Sequence, residues 1–315
     1  MILTVTLNPA IDKLLVLKKF SIHKLHRLES NEKSIISAGG KGVNIAVNLH
    51  LLEDRVIASG FASGHSGHLL CDELRRQGLT TSFIFTEGLT RTNISVLDQE
   101  NETLTEINDF GTTITSEDME FFLGNYERLL NRVKLVVLAG SLPLGVPTDC
   151  YLKLTEIAKA RNIKVIVHTS PEHLDPILSS APNLIVPDMR SYHELLGKPC
   201  DGIEQFLAVG KEILVKHRDS ELIIFIHRIE NVVAVSRSAS YVLRPENLNI
   251  VNMLGYADAY LAGFIHATNK DMALKDSLIY ASAAGLSNVE SINKELRDPA
   301  LINKNLNRIK IEELA

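Results

Sequence analysis

The stretch ILTVTL, Ile2 to Leu7, is a short run of apolar and β-branched residues typical of a buried β-strand. Runs of the same kind recur along the chain, and helix-like stretches separate most of them. This rhythm predicts βαβ units, and hence an α/β fold with a doubly wound, mostly parallel sheet and helices on both faces. Ligands of such sheets bind outside the carboxyl ends of the strands. The further runs are Val56–Ser59, Leu135–Leu138, Lys164–Val167, Asn183–Val186 and Leu222–Ile226.

Two segments interrupt this rhythm, Asp12–Ser37 and Arg91–Ile107, where polar and apolar residues alternate without a long helix. The alternation predicts a small antiparallel sheet. Its place in the chain favours a lid over the ligand crevice. We therefore expect a single α/β domain over residues 1–315, with a small β lid formed by about 12–37 and 91–107.

Composition narrows the classes of function. The 315 residues are 45% apolar and 23% charged, which is ordinary for a globular protein. The formal charge is −5 and the basic residues are scattered, so nucleic acid is not an expected partner. Cys71, Cys150 and Cys200 have neither disulfide-framework nor zinc-site spacing, which fits a reducing compartment. No signal peptide or membrane-spanning run is visible, so a cytoplasmic protein without a membrane partner is expected.

The sequence SAGGKGVNIAVNL, Ser37 to Leu49, leads from small residues into a helical pattern. Gly39 and Gly40 permit close approach of the backbone to a ligand, Lys41 supplies charge and Asn44 a polar group one turn later. Such a helix start suits a hydroxylated, phosphorylated ligand. It matches neither the Walker A pattern nor the dinucleotide-binding glycine pattern. The alternative is a tight turn with a surface lysine.

The sequence VNMLGYADAYLAGF, Val251 to Phe264, begins a second helix. Gly255 opens it and Asp258 lies in its first turn. A carboxylate there either favours the helix dipole or acts as a general base beside amides that stabilise a phosphoryl group. Both interpretations stay open on this segment alone.

Several segments together resemble the ribokinase-like PfkB family of carbohydrate kinases, in its 1-phosphofructokinase and tagatose-6-phosphate kinase branch. They occur in the family's order over nearly the whole chain, and are TVTLNPAID, AGGKGVN, GFASGHSG, TRTNI, TEIN, LAGSLPLGVP and AGFIHA. The resemblance implies a kinase whose donor is ATP with Mg²⁺ and whose acceptor is a ketohexose monophosphate. It also leaves a homodimer through the β lid as a possible assembly.

The resemblance implies a role for individual residues. Asp258 would be the catalytic base, and Gly255, Tyr256 and Ala257 would form the anion hole. Arg91 and Ser141 would hold the phosphate already on the acceptor. No metal-ligand set is predicted within the protein. The other sugar-binding residues would be Asp12, Gly39, Gly40, Lys41 and Asn44, and the nucleotide-binding residues Asp188, Arg228 and Asn288.

The chain departs from the family mainly in the nucleotide half. The family's GAGD is Gly255-Tyr256-Ala257-Asp258 here, which predicts a narrower or displaced phosphoryl cradle. The family's N-x-x-E falls on Asp188 and Ser191, so the glutamate is missing unless Glu194 replaces it through a register shift. Asp188 could act on Mg²⁺ through water.

Two further motifs differ. The family's S-x-G-x-x-G turn is IHRIEN, Ile226 to Asn231, in which Arg228 either pairs with a nucleotide phosphate, blocks the nucleotide or is an exposed hairpin charge. The family's DTSG is HTSP, which begins with His168 and ends with Pro171. We expect His168 and His227 to be packed or solvent-facing rather than metal ligands, because neither has ligand-like spacing.

The sugar-binding motifs are retained while the nucleotide-binding motifs differ, and two hypotheses follow from this difference. The first is transfer of the ATP γ-phosphoryl group to a ketohexose monophosphate, with Asp258 as base. The second is a catalytically impaired pseudokinase that binds sugar phosphate as a sensor. A nicotinamide-dependent dehydrogenase is excluded, since the glycine fingerprint after a strand is absent.

Overall fold

A computed structural model describes residues 1–314. The strands are β1 (Ile2–Thr6), β2 (Ala10–Leu17), β3 (Lys33–Gly39), β4 (Val56–Ser63), β5 (Thr80–Thr86), β6 (Arg91–Asp98), β7 (Thr103–Ile107), β8 (Leu135–Ala139), β9 (Lys164–Thr169), β10 (Leu184–Pro187), β11 (Glu194–Leu195), β12 (Lys198–Pro199), β13 (Leu222–Arg228), β14 (Asn231–Ser236), β15 (Ser240–Pro245) and β16 (Ile309–Leu314). A ten-stranded sheet has the order β16-β15-β14-β13-β10-β9-β8-β1-β4-β5, and a four-stranded sheet has the order β3-β2-β6-β7.

Helices cover both faces of the large sheet. The helices are α1 (Lys41–Leu51), α2 (Gly64–Arg76), α3 (Ser116–Leu130), α4 (Cys150–Lys159), α5 (Pro171–Leu178), α6 (Ile203–Lys216), α7 (Tyr256–Asn269), α8 (Leu274–Val289) and α9 (Ala300–Asn305), followed by a 3₁₀ turn at Leu306–Arg308. Helices α1, α2, α7 and α8 pack on one face, and α3 to α6 on the other.

The large sheet is parallel from β5 through β13 and antiparallel from β13 to β16. Its central strands are apolar along their whole length because both faces are covered. In β1, Ile2 joins the core under α1 and α7, whereas Leu3 and Val5 join the core under α3 and α4. The predicted doubly wound α/β fold is confirmed, and the predicted strands recur with boundaries shifted by a few residues.

The small sheet is built from the two segments that the alternation singled out. Its outer pairs, β2 with β3 and β6 with β7, are antiparallel, while its central pair, β2 with β6, is parallel. A parallel pair needs a long connection, and here β3, α1, β4, α2 and β5 supply it. The strand alternation predicts the strands but not this central pairing.

The chain reverses direction across the large sheet between β1 and β8. From β1 it proceeds outward to β4 and β5, and from β8 it proceeds the other way to β9, β10 and β13. Loops on the two sides of such a reversal diverge and leave a crevice at the carboxyl ends of the strands. No helix within residues 1–314 is both long and apolar enough to span a membrane.

Candidate active site

A cleft of about 420 Å³ lies at this reversal, bounded by the loops after β1, β8, β9 and β10 and by the small sheet. Asn8 follows β1 and Ser141 follows β8. The Asn8 side-chain amide donates to Ser141 Oγ at 3.3 Å and to the carbonyl of Phe110 at 3.0 Å. These bonds tie the two diverging loops to the loop that follows the small sheet.

Helices α1 and α7 bring two polar side chains together beneath the cleft. Gly40 is the N-cap of α1 and Gly255 the N-cap of α7. Asn44, one turn into α1, donates its amide to Asp258 Oδ2 on the first turn of α7 at 2.8 Å. Both side chains are buried, so a charge-assisted bond of this kind fixes the orientation of the carboxylate.

Gly255 shapes the start of α7. Its φ of 78° is in the left-handed region, and a Cβ there would lie 2.2 Å from the carbonyl oxygen of Lys294. The first α-helical hydrogen bond runs from the amide of Ala259 to the carbonyl of Gly255 at 2.8 Å. The preceding amides of Ala257 and Asp258 are therefore first-turn donors, which favour a bound anion.

The Tyr256 side chain does not crowd this helix start. It is 5% exposed, and a Cβ on Gly285 of α8 would lie 2.6 Å from its ring. Its hydroxyl is buried without a hydrogen-bond partner among the described residues. The ring packs between α7 and α8 and does not itself narrow the phosphoryl cradle, while a cradle narrowed or displaced by Ala257 stays a prediction. Of Tyr256, only the backbone is available to an anion hole.

Asp12 is held in place from two sides. Asn93, its neighbour across the β2–β6 pair, donates to Oδ1 at 2.9 Å, and Lys294 Nζ lies 2.5 Å from Oδ2. Lys294 is 6% exposed and also donates to the carbonyl of Ala38. A Cβ on Gly39 would lie 2.2 Å from Asp12 Oδ2, so only glycine leaves room for this carboxylate.

Arg91 spans the wall formed by the small sheet and the loop after β1. Its guanidinium donates to the carbonyl of Asp109 at 2.9 Å and to that of Asn8 at 2.9 Å. Because it lines the cleft together with Ser141, the positive charge predicted for an acceptor phosphate is present there. Two of its donors are already used by the backbone.

A chain of ion pairs crosses the cleft from α1 to the small sheet. Lys41 Nζ lies 2.8 Å from Asp188 Oδ2, and Arg190 Nε lies 3.1 Å from Asp188 Oδ1. Arg190 also approaches Glu106 of β7 at 3.9 Å. Burial opposes ionisation of Asp188, but Lys41 and Arg190 hold the pKa of its carboxyl well below the usual range.

His168 ends up buried behind Asp258. Its side chain is 1% exposed, and its Nε2 lies 3.8 Å from Asp258 Oδ1. Burial, helped by the nearby charge of Lys41, lowers the pKa of this imidazole to about 4. The expectation that His168 is a packed histidine agrees with its burial.

The residues predicted for the nucleotide have different surroundings. Asp188 and Arg228 line the cleft, and Arg228 is exposed at the end of β13, where a hairpin connects to β14. Asn288 is fully buried in α8 outside the cleft lining, with both side-chain amide atoms unpartnered among residues 1–314. Glu194 is exposed in β11 and does not line the cleft, so the register shift that would replace the missing glutamate is not seen.

The structure thus gathers nearly all the predicted site residues around one cleft. Gly39 lies beside it against Asp12, and Asn288 lies apart from it. The lining residues among those predicted are Asp12, Gly40, Lys41, Asn44, Arg91, Ser141, Asp188, Arg228, Gly255, Tyr256, Ala257 and Asp258.

Sequence reasoning missed several polar residues of the cleft. Asn8 and Asn93 stand in the segments TVTLNPAID and TRTNI and could have been named from them. Lys294 stands in none of the recognised segments, and only the folded chain brings it to Asp12. The other missed polar residues are Ser95, Glu106, Asn108, Ser170, Glu172, Arg190 and Tyr192.

A larger groove of about 890 Å³ lies at the opposite, amino-terminal edge of the sheet, near the starts of β8, β9, β10 and β13. None of the predicted catalytic, sugar-binding or nucleotide-binding residues lines this groove. We place the site in the smaller cleft, because that cleft lies at the carboxyl ends of the parallel strands and holds Asp258.

The comparison with known proteins agrees with this geometry. Residues 22–298 match the model of the pfkB family carbohydrate kinases. The chain belongs to this family. It is therefore a carbohydrate kinase, a phosphotransferase that acts on a sugar hydroxyl, as the sequence predicted.

Relatives of this pfkB-family chain carry related names. It is 29% identical to 1-phosphofructokinase of Bacillus subtilis (strain 168), with 100% of each chain covered. It is 30% identical to tagatose-6-phosphate kinase of Staphylococcus epidermidis (strain ATCC 12228 / FDA PCI 1200), over 91% of this chain and 92% of the relative.

Solved structures show the same fold. A possible 1-phosphofructokinase from Thermotoga maritima has a TM-score of 0.94 at 30% identity, with 100% of each chain covered. Phosphofructokinase-2 from Escherichia coli, solved with substrates and products, has a TM-score of 0.87 at 18% identity, over 97% of this chain and 98% of that one. The latter likeness concerns the fold alone.

Proposed function

We propose that this pfkB-family kinase transfers the γ-phosphoryl group of ATP to a free primary hydroxyl of a ketohexose monophosphate, such as fructose 1-phosphate or tagatose 6-phosphate. One observation carries the proposal. Asp258 stands in the first turn of α7, beside amides suited to a phosphoryl group and in the same cleft as the predicted sugar-binding residues.

The acceptor half of the cleft suits a phosphorylated sugar. The Asp12 carboxylate, held by Asn93 and Lys294, can accept hydrogen bonds from two neighbouring hydroxyls. Arg91 and Ser141 lie together at the wall formed by the small sheet, where they would receive the phosphate that the sugar already carries. An unphosphorylated sugar would leave the Arg91 guanidinium with only its backbone partners, the carbonyls of Asn8 and Asp109.

The chemical step requires one proton acceptor and stabilisation of charge. Asp258 would take the proton of the attacking hydroxyl, and Asn44 fixes the orientation of its carboxylate through Oδ2. The amides of Ala257 and Asp258 would stabilise the transferring group. One O–H bond and the P–O bond between the γ-phosphorus and ADP break, one O–P bond to the sugar forms, and ADP leaves with the electron pair of the broken P–O bond.

The nucleotide would bind toward Asp188, Arg190 and Arg228. Asn288 is fully buried outside the cleft lining, so its unpartnered amide suits an ordered water rather than the nucleotide. Within residues 1–314 there is no cluster of three or more His, Cys, Asp or Glu side chains that could hold a metal. Mg²⁺ therefore fits as an ion carried by the nucleotide phosphates, with Asp188 reaching it through water, and it would neutralise phosphate charge.

The same motif losses support a second candidate, a sugar-phosphate sensor. Ser191 stands where the family has a glutamate, and Arg228 enters the nucleotide side of the cleft. Separate calorimetric titrations with MgATP and with each sugar phosphate, followed by a phosphotransfer assay, distinguish the two. Binding of both ligands with turnover supports the kinase, whereas sugar-phosphate binding without ATP binding or turnover supports the sensor.

The assembly and the lid are part of the proposal. The small sheet lines the acceptor side of the cleft through Asn93, Leu104 and Glu106, as a lid would. Ile36 and Ile107 are 55% and 61% exposed on its two edge strands, which suits a homodimer through this sheet. Light scattering tests the dimer. The cytoplasmic location stays a prediction.

A further inference from the structure

His168, at the end of β9, has one ring nitrogen committed to the backbone. Its Nδ1 lies 2.8 Å from the carbonyl oxygen of Val186 on the neighbouring strand β10. A carbonyl only accepts hydrogen bonds, so Nδ1 must carry the hydrogen. In the neutral imidazole, Nε2 is then an acceptor with a free lone pair.

That lone pair faces the carboxylate of Asp258. Nε2 of His168 and Oδ1 of Asp258 are 3.8 Å apart, and each is buried without a hydrogen-bond partner among residues 1–314. Asn44 already satisfies the other carboxylate oxygen, Oδ2. His168 Nε2 and Asp258 Oδ1 are both acceptors, so they can form a hydrogen bond only when one of them carries a proton.

We propose that His168 is a positioning residue for Asp258, whose Nε2 accepts a hydrogen bond from the carboxyl once Asp258 has taken the proton of the sugar hydroxyl. This inference rests on the proposed phosphotransfer. It gives a role to His168, which stands where the family's DTSG motif has an acid.

The step is balanced without any added reactant. The hydroxyl O–H bond breaks as its oxygen forms the bond to phosphorus, the proton goes to Asp258, and ADP leaves with the electron pair of the broken P–O bond. The proton stays on the carboxyl, and His168 only accepts the hydrogen bond. Catalytic hydrogen bonds are often long in unliganded structures and shorten in the reacting complex, so a contact of 3.8 Å is compatible with this role.

Burial holds His168 in its neutral form, although the charges around it act in opposite directions. Lys41 on α1 opposes a positive imidazole, and Asp188 after β10 and Asp258 on α7 favour one. Burial is the largest influence, and the pKa of His168 falls to about 4. The side chain is therefore an acceptor at neutral pH.

The test compares His168→Asn with His168→Gln. The asparagine amide can still donate to Val186 but does not reach Asp258, whereas the glutamine carbonyl can reach the position of Nε2. We expect His168→Asn to lower kcat about tenfold to hundredfold with little change in KM for sugar phosphate or MgATP, and His168→Gln to recover part of the loss.

A matched control comes from the other end of α7. His266 Nδ1 lies 2.8 Å from Asp54 Oδ2, so His266→Asn also removes a histidine from a histidine–aspartate contact, away from the cleft. It should leave kcat unchanged. A second control is Asp258→Asn, in whose background His168→Asn should cause no further loss of the residual rate.

The outcomes separate the inference from the proposed function. Absence of phosphotransfer by the unmodified protein would overturn both. Activity of that protein together with an unchanged kcat in His168→Asn would overturn the inference alone. Equal losses of kcat and thermal stability in the asparagine and glutamine variants, or an additive loss in the Asp258→Asn background, would mean that His168 only packs.

Discussion

Asn44 and Asp258 lie 214 residues apart in the chain, yet the Asn44 amide donates to Asp258 Oδ2 at 2.8 Å beneath the cleft. The contact joins the two helices whose first turns line the cleft. Each of the segments Ser37 to Leu49 and Val251 to Phe264 could, taken alone, be an ordinary helix start. Because the fold brings Asn44 and Asp258 together, the two segments form one polar site at the cleft.

Asp258→Asn should abolish phosphotransfer and leave sugar-phosphate binding largely intact, because it removes the proton acceptor while its amide oxygen can still accept from Asn44. A general base contributes on the order of 10² to 10⁴ in rate. Steady-state kinetics combined with calorimetric binding of the sugar phosphate measures both effects. Retention of most of the turnover would remove Asp258 from the mechanism.

Arg91→Ala should weaken binding of the phosphorylated acceptor more than that of the same sugar without its phosphate. The lost contact is charge-assisted and worth roughly 1.5–3 kcal/mol. Because Arg91 also bonds the carbonyls of Asn8 and Asp109, Arg91→Lys is a useful companion that keeps the charge. Equal weakening of both ligands in the alanine variant would place the phosphate elsewhere.

Lys294→Met should lower affinity for the sugar phosphate, since Asp12 would lose the cation that fixes its hydroxyl-binding carboxylate. We expect a loss of about 1–3 kcal/mol, because a buried partner is removed. Asp12→Asn and the double variant complete a thermodynamic cycle, measured by calorimetry. Additive losses would show that Lys294 and Asp12 act independently.

Tyr256→Ala should destabilise the fold by about 3–5 kcal/mol, because it empties the space between α7 and α8 that the ring fills. Tyr256→Phe removes only a buried hydroxyl without a partner, so stability should be unchanged or slightly higher. Urea denaturation measures both. A strong loss of stability in the phenylalanine variant would reveal a hydrogen bond of the hydroxyl.

Stability should fall as the pH is lowered from about 6.5 to about 4 because of His168. Its pKa is depressed from 6.5 to about 4 in the fold, so in this range the unfolded chain binds a proton that the folded protein does not. The full effect is on the order of 3 kcal/mol. Denaturation curves of the unmodified protein and of His168→Asn at pH 4.5 and 7 separate the contribution of His168 to this loss of stability. An equal loss of stability in both proteins at pH 4.5 would assign the effect to other groups.

The large sheet was predictable because each buried strand is a local run such as Ile2–Thr6, recognisable without its neighbours. Lys41 and Asp258 were predictable because each stands in a short motif. The direction of the Tyr256 ring was not, because it depends on Gly285 of another helix. Nor was Lys294, whose partner Asp12 is 282 residues away and whose own segment has no recognisable pattern.

The pairing of Asp188 with both Lys41 and Arg190 means that the protein carries its own counter-ion in the cleft. An incoming phosphate that uses these cations exchanges one anion for another instead of meeting bare positive charge. The free energy of binding is then the difference between two sets of ion pairs. Its dependence on ionic strength should accordingly be shallower than the number of cations in the cleft would suggest.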